Sequence, residues 1–96
     1  MQMDENALKL MKKCKDKEIA SQGMGACQVL LKEMEKEKID FEEDKPDESY
    51  MQMAQNISPE DVPKVLNMAL KIKKRPDVSP ELKNAANRLI RAIEAF

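Results

Sequence analysis

The side chains able to do chemistry in this 96-residue chain are two thiols, Cys14 and Cys27, one phenol, Tyr50, and a large stock of carboxylates and cations; there is no histidine. That inventory excludes Ser-His, Cys-His and histidine general-base mechanisms supplied by this chain alone. The thiols lack metal-ligand spacing, and two thiols without histidine cannot complete an ordinary zinc site. Acids gather at Glu33, Glu35, Glu37, Asp40, Glu42, Glu43 and Asp44. No pair of them is marked out by an apolar setting, so a solvated charged face accounts for them better than carboxylate catalysis. "GMGA" at residues 23–26 resembles a phosphate-cradling loop only superficially, since no strand precedes it and no Lys-Ser or Lys-Thr follows; small residues permitting close helix contact are the better reading. The expectation is a non-enzyme with no catalytic residue, no metal site and no cofactor.

These groups must be positioned by helices. The chain is 42% apolar, with three aromatics, Phe41, Tyr50 and Phe96, two glycines and much Lys and Glu, which suits helices better than sheets. Ninety-six residues are enough for one core and too few for two. An all-α, small single-domain bundle of four main helices follows, at about 4–18, 21–38, 59–74 and 80–95, with a short helix near 48–55. No apolar run approaches the roughly 18 to 20 residues that span a bilayer, and "MQMDENALKL" lacks a cationic region followed by an apolar stretch. A soluble, cytoplasmic protein with no membrane partner is expected. Cys14 and Cys27 then read as buried reduced thiols, with a disulfide between them the alternative if two helices fold back on each other.

Spacing supports each helix. Ala7, Leu8, Leu10, Met11 and Cys14 form one stripe; Ala20, Met24, Cys27, Leu31 and Met34 form the next at intervals of four, three, four and three. Ser21 suits a cap and Gly23 and Gly25 weaken a continuous helix, which predicts a break near residues 18–22. "DFEEDKPDES", residues 40–49, reads as an exposed acidic connection. After it, Tyr50, Met51, Met53 and Ala54 supply apolar contacts and Asn56 suits a C-terminal cap. The clearest start signals are Ser58-Pro59-Glu60-Asp61 and Ser79-Pro80-Glu81, each an N-cap serine with proline in the first helical position. Ile57 and Val62 are placed for a hydrophobic staple. Val62, Val65, Leu66, Ala69 and Ile72, widened by Met68 and Leu70, give one buried face. Leu82, Ala86, Leu89, Ile93 and Phe96, broadened by Ala85 and Ile90, give the other, and the two helices read as an antiparallel hairpin.

Charge is distributed in blocks. Residues 1–32 carry six cations and four anions, residues 33–61 three and eleven, and residues 62–96 eight and three. The simplest reading folds the acidic block across the basic C-terminal helices; a functional reading leaves one block for a partner. "KIKKRPDVSPE" combines the two: Lys71, Lys73, Lys74 and Arg75 complement a helix C-terminus, Pro76 stops the helix and Ser79 starts the next. Four cations exceed what a helix end needs.

The function expected from this pattern is a non-enzymatic protein-protein interaction module or small regulator. It would bind another protein, or its own copy in a homo-oligomer, through an apolar, Met-containing helical face flanked by charge. The candidate contact residues are Met24, Met34, Met51, Met53, Lys71, Lys74, Arg75, Arg88 and Arg91. The alternative is a nucleic-acid-binding regulator using the 59–95 hairpin, with Lys83, Asn84, Asn87, Arg88 and Arg91 on the outer face of the second helix. Against it stand Glu81 at the leading end, the acidic block next door and a turn without glycine.

Overall fold

A computed structural model describes residues 5–38 and 49–96. The described residues form five α-helices and no strand: α1 (Glu5–Cys14), α2 (Lys17–Glu37), α3 (Tyr50–Gln55), α4 (Val62–Lys74) and α5 (Pro80–Glu94), with one 3-10 turn at Pro59–Asp61 leading into α4. The all-α bundle expected from composition is what the chain adopts. The acidic connection expected at 40–49 lies, apart from Ser49, outside the described residues.

The first break falls earlier than the sequence predicts. α1 ends at Cys14, and Asp16 caps α2 by accepting the Glu18 N–H at 2.9 Å. Ser21, the expected cap, lies inside α2 and donates its hydroxyl back to the Lys17 carbonyl at 2.8 Å. Gly23 lies within α2 where α5 passes close against it: a Cβ there would stand 3.0 Å from Ile93 Cδ1 and 3.4 Å from Leu89 Cδ1. α2 ends when Lys38 turns left-handed (φ 53°, ψ 44°) and returns its N–H to the Met34 and Glu35 carbonyls, a conformation and bond pattern that terminates many helices, here on a lysine where glycine is usual.

α2 runs antiparallel to α5. Its last turn meets the start of α5, where Glu37 accepts from Ser79, and its Gly23 meets Leu89 and Ile93 near the end of α5. α4 and α5 form the hairpin, with Ser79 accepting the Leu82 N–H at 3.1 Å as the cap of α5. The proline at 59 sits in the 3-10 turn, and regular α-helix starts only at Val62. Asp61 there takes both the N–H and the hydroxyl of Ser58 at 3.1 Å. α1 lies across the end of the bundle where α2 and α4 begin and α5 finishes, touching all three; Lys13 reaches the Glu94 carbonyl at 3.5 Å.

α3 is too short to persist alone, since helices of a few residues do not repay nucleation. Three arrangements hold it. Ser49 and Gln52 exchange side-chain and backbone hydrogen bonds at its start, Glu35 accepts the Tyr50 N–H at 3.2 Å, and Gln28 donates to the Ala54 carbonyl at 3.1 Å. Glu35 and Gln28 are two turns apart on α2, so they grip both ends of α3 while Tyr50, Met53 and Ala54 are buried beneath it. α2 is the helix alongside which α3 lies.

The core is one cluster drawn from every helix. Cys27, Leu30, Leu31, Met34, Val62, Val65, Leu66, Ile72, Leu82, Leu89 and Ile93 are among its buried members, and among the described residues no charged or polar residue is buried with them.

Candidate partner-binding faces

The predicted contact residues do not form one face. Met34 and Met53 are buried in the core, and Met24 packs half-buried against it. Met34 and Met53 are therefore corrected from partner contacts to packing residues. Met34 is fully buried on α2, and Met53 is buried on α3, which lies against α2; an unbranched thioether fills such gaps well. Met51, at 37% exposure, is the one predicted methionine turned outward.

The cations divide in the same way. Lys71 is half-buried and Lys74 exposed at the end of α4, beside the start of α5. Arg75 is committed to Asp77: its guanidinium donates to both carboxylate oxygens, at 3.1 and 2.9 Å. Those bonds raise the arginine's affinity for its proton and hold the Asp77 carboxyl below its ordinary range. The excess of cations read at 71–75 is thus partly answered within the turn itself. Arg88 and Arg91 are both exposed on the outer face of α5 with Asn84, while Asn87 and Lys83 are half-buried beside them.

Two apolar residues expected in the core lie at the surface instead. Leu8 is 49% exposed and Phe96 53% exposed. α1 packs through Ala7, Leu10 and Cys14, with half-buried Met11 also against the core, and Leu8, the remaining member of the stripe, lies outside that contact. Phe96 fits the α5 spacing, but α5 ends at Glu94 and the last residue no longer continues its buried face. On α1, Leu8 and half-buried Met11 are one turn apart, flanked by exposed Lys9, Lys12 and Lys15. This is an apolar, Met-containing face bordered by cations, on a helix where sequence spacing alone places Leu8 inward.

Chemically reactive groups are closed off. Cys14 and Cys27 are buried free thiols. Burial pushes Cys14 up to about 11 and Cys27 up to about 12, the latter with a contribution from Cys14 itself. At neutral pH both are protonated and poor nucleophiles. Among the described residues no three His, Cys, Asp or Glu side chains are grouped so as to hold a metal ion. No helix among them is long and apolar enough to cross a membrane. Compared with known proteins, the chain matches no family model, no curated protein and no solved structure.

Proposed function

We propose that the protein is a non-enzymatic interaction module that engages a partner protein through the outer face of α1. The observation that carries this reading is Leu8, 49% exposed beside half-buried Met11, with exposed Lys9 and Lys12 on the same helix and exposed Lys15 just past its end. An apolar centre with a cationic rim suits a partner segment that is apolar along one side and acidic along its edges. A cytoplasmic location belongs to the same reading, since two cysteines kept as thiols suit a reducing compartment.

The test compares affinity capture from the native host by the wild-type chain, by Leu8→Glu and by Met51→Glu. A partner retained by wild type and Met51→Glu but lost with Leu8→Glu supports the α1 face. Equal recovery by all three removes it.

The nucleic-acid reading keeps one favourable observation, the exposure of Asn84, Arg88 and Arg91 together on α5. Binding to random duplex DNA and to RNA at two salt concentrations decides it. Salt-sensitive binding that disappears with Arg88→Ala/Arg91→Ala would establish that role, and no binding at low salt would end it.

A further inference from the structure

Nothing among the described residues packs against Gly25. It lies in the interior of α2, it is exposed, its φ is not positive, and a Cβ at this position would meet no described residue within 4 Å. Glycine weakens a helix interior more than any residue except proline. Gly23, half a turn away, is explained by Ile93 and Leu89 lying against it; Gly25 has no such neighbour. One turn further along, Val29 is turned outward at 40% exposure.

The charges on this face have a definite symmetry about Gly25. Seven residues make two turns, so Glu18 and Lys32, seven before and seven after, share its side of the helix. Both are exposed, and neither has an ion-pair partner among the described residues. An identical helix laid antiparallel across Gly25 brings Glu18 of each copy opposite Lys32 of the other and Val29 opposite Ser21. A parallel pair would instead set lysine on lysine and glutamate on glutamate. A glycine at the crossing lets the two backbones approach closely.

We propose that the outer face of α2 docks on the same face of a second copy of this chain, antiparallel, with Gly25 at the crossing point. This surface is separate from the α1 face, and either assignment can fail without the other. A contact made by one helix from each copy falls at the small end of specific interfaces, below about 1,200 Å² in total. The self-association is therefore weak and reversible, and is populated at high concentration or when a larger assembly holds two copies together.

Sedimentation of the full chain from about 10 μM to about 1 mM is the test, with far-UV circular dichroism confirming that each variant is folded. Wild type should shift from monomer to dimer across that range. Val29→Lys and Gly25→Gln should abolish the shift. Lys32→Glu should weaken association by roughly tenfold through two symmetry-related repulsions, and Glu18→Lys/Lys32→Glu should restore it. A wild-type monomer throughout would overturn the proposal. So would a dimer indifferent to Val29→Lys, or a Lys32→Glu defect that the double exchange leaves unrescued.

Discussion

Glu37, in the last turn of α2, accepts hydrogen bonds from both the backbone N–H and the hydroxyl of Ser79, the residue that caps α5. Ser79 in turn accepts the Leu82 N–H, so a carboxylate on one helix fixes the start of another. Glu37→Ala leaves the half-buried Ser79 N–H without its acceptor and should cost about 1–2 kcal/mol. For a domain of this size that lowers the melting temperature by roughly 4–15 °C. Glu37→Gln, which keeps an acceptor oxygen, should fall between. A double-mutant cycle with Ser79→Ala, read by urea denaturation, should give a coupling of about 1 kcal/mol; additive effects would mean that the two side chains act separately.

The two glycines of α2 should respond oppositely to a methyl group. Gly25→Ala adds helix propensity in open space and should raise monomer stability by about 0.5–1 kcal/mol. Gly23→Ala gains the same propensity but presses on Ile93 Cδ1 at 3.0 Å, which must shift by a few tenths of an ångström to make room. Its denaturation midpoint should not exceed wild type, and Gly23→Val should fall below it by about 1–3 kcal/mol. Equal stabilisation by the two alanines would contradict the close approach of α2 and α5.

Alkaline pH should unfold the domain through its thiols. Each thiol's pKa is raised in the folded state from 9.0, to about 11 for Cys14 and about 12 for Cys27. The unfolded chain therefore loses these protons first. Stability from this source is complete below pH 9 and falls as pH rises toward 11 and 12, by at most about 1.4 kcal/mol per pH unit for each thiol. The measurement is the difference in slope between wild type and Cys14→Ala/Cys27→Ala, which cancels every contribution the two proteins share. At neutral pH an aromatic disulfide reagent should label neither cysteine in the native protein and both in urea.

Methionines at similar sequence spacing should divide sharply. Met34→Ala opens a cavity among fully buried neighbours and should cost about 2–5 kcal/mol. Met51→Lys, on the outer side of α3, should stay within about 0.5 kcal/mol of wild type. Thermal unfolding of both variants checks the assignment, and a large loss for Met51→Lys would place that side chain in the core.

What the sequence disclosed and what it concealed divide along local and distant causes. Ser79-Pro80 marks the α5 start because caps and first-turn prolines act within one turn, whereas Ser58-Pro59 opens the 3-10 turn that leads into α4 at Val62; Asn56 ends α3 with its backbone N–H on the Gln52 carbonyl. The break before α2 was misplaced because Gly23 reads locally as a helix breaker. Only Ile93, seventy residues on, gives that glycine a reason to sit in mid-helix. Leu8 and Met34 show the same limit at the candidate site. Both lie on well-spaced stripes, yet α1 crosses the bundle end and exposes its leucine, while α2 runs through the middle and buries its methionine. Stripe width is local information; what lies opposite it is not.

The last turn of α2 also bears on whether this domain can be divided. Its two carboxylates serve helices that begin far along the chain, Glu35 at a sequence separation of 15 and Glu37 at 42. The beginnings of α3 and α5 are thus completed by a segment made well before them. A fragment carrying only the α4–α5 hairpin retains its Ser-Pro signals but loses the anion at its second helix start and the packing of α2 on Leu89 and Ile93. The hairpin, however recognisable as a motif, is not a transplantable part. Cuts placed at helix boundaries will still sever the bonds that Glu35 and Glu37 make to the starts of α3 and α5.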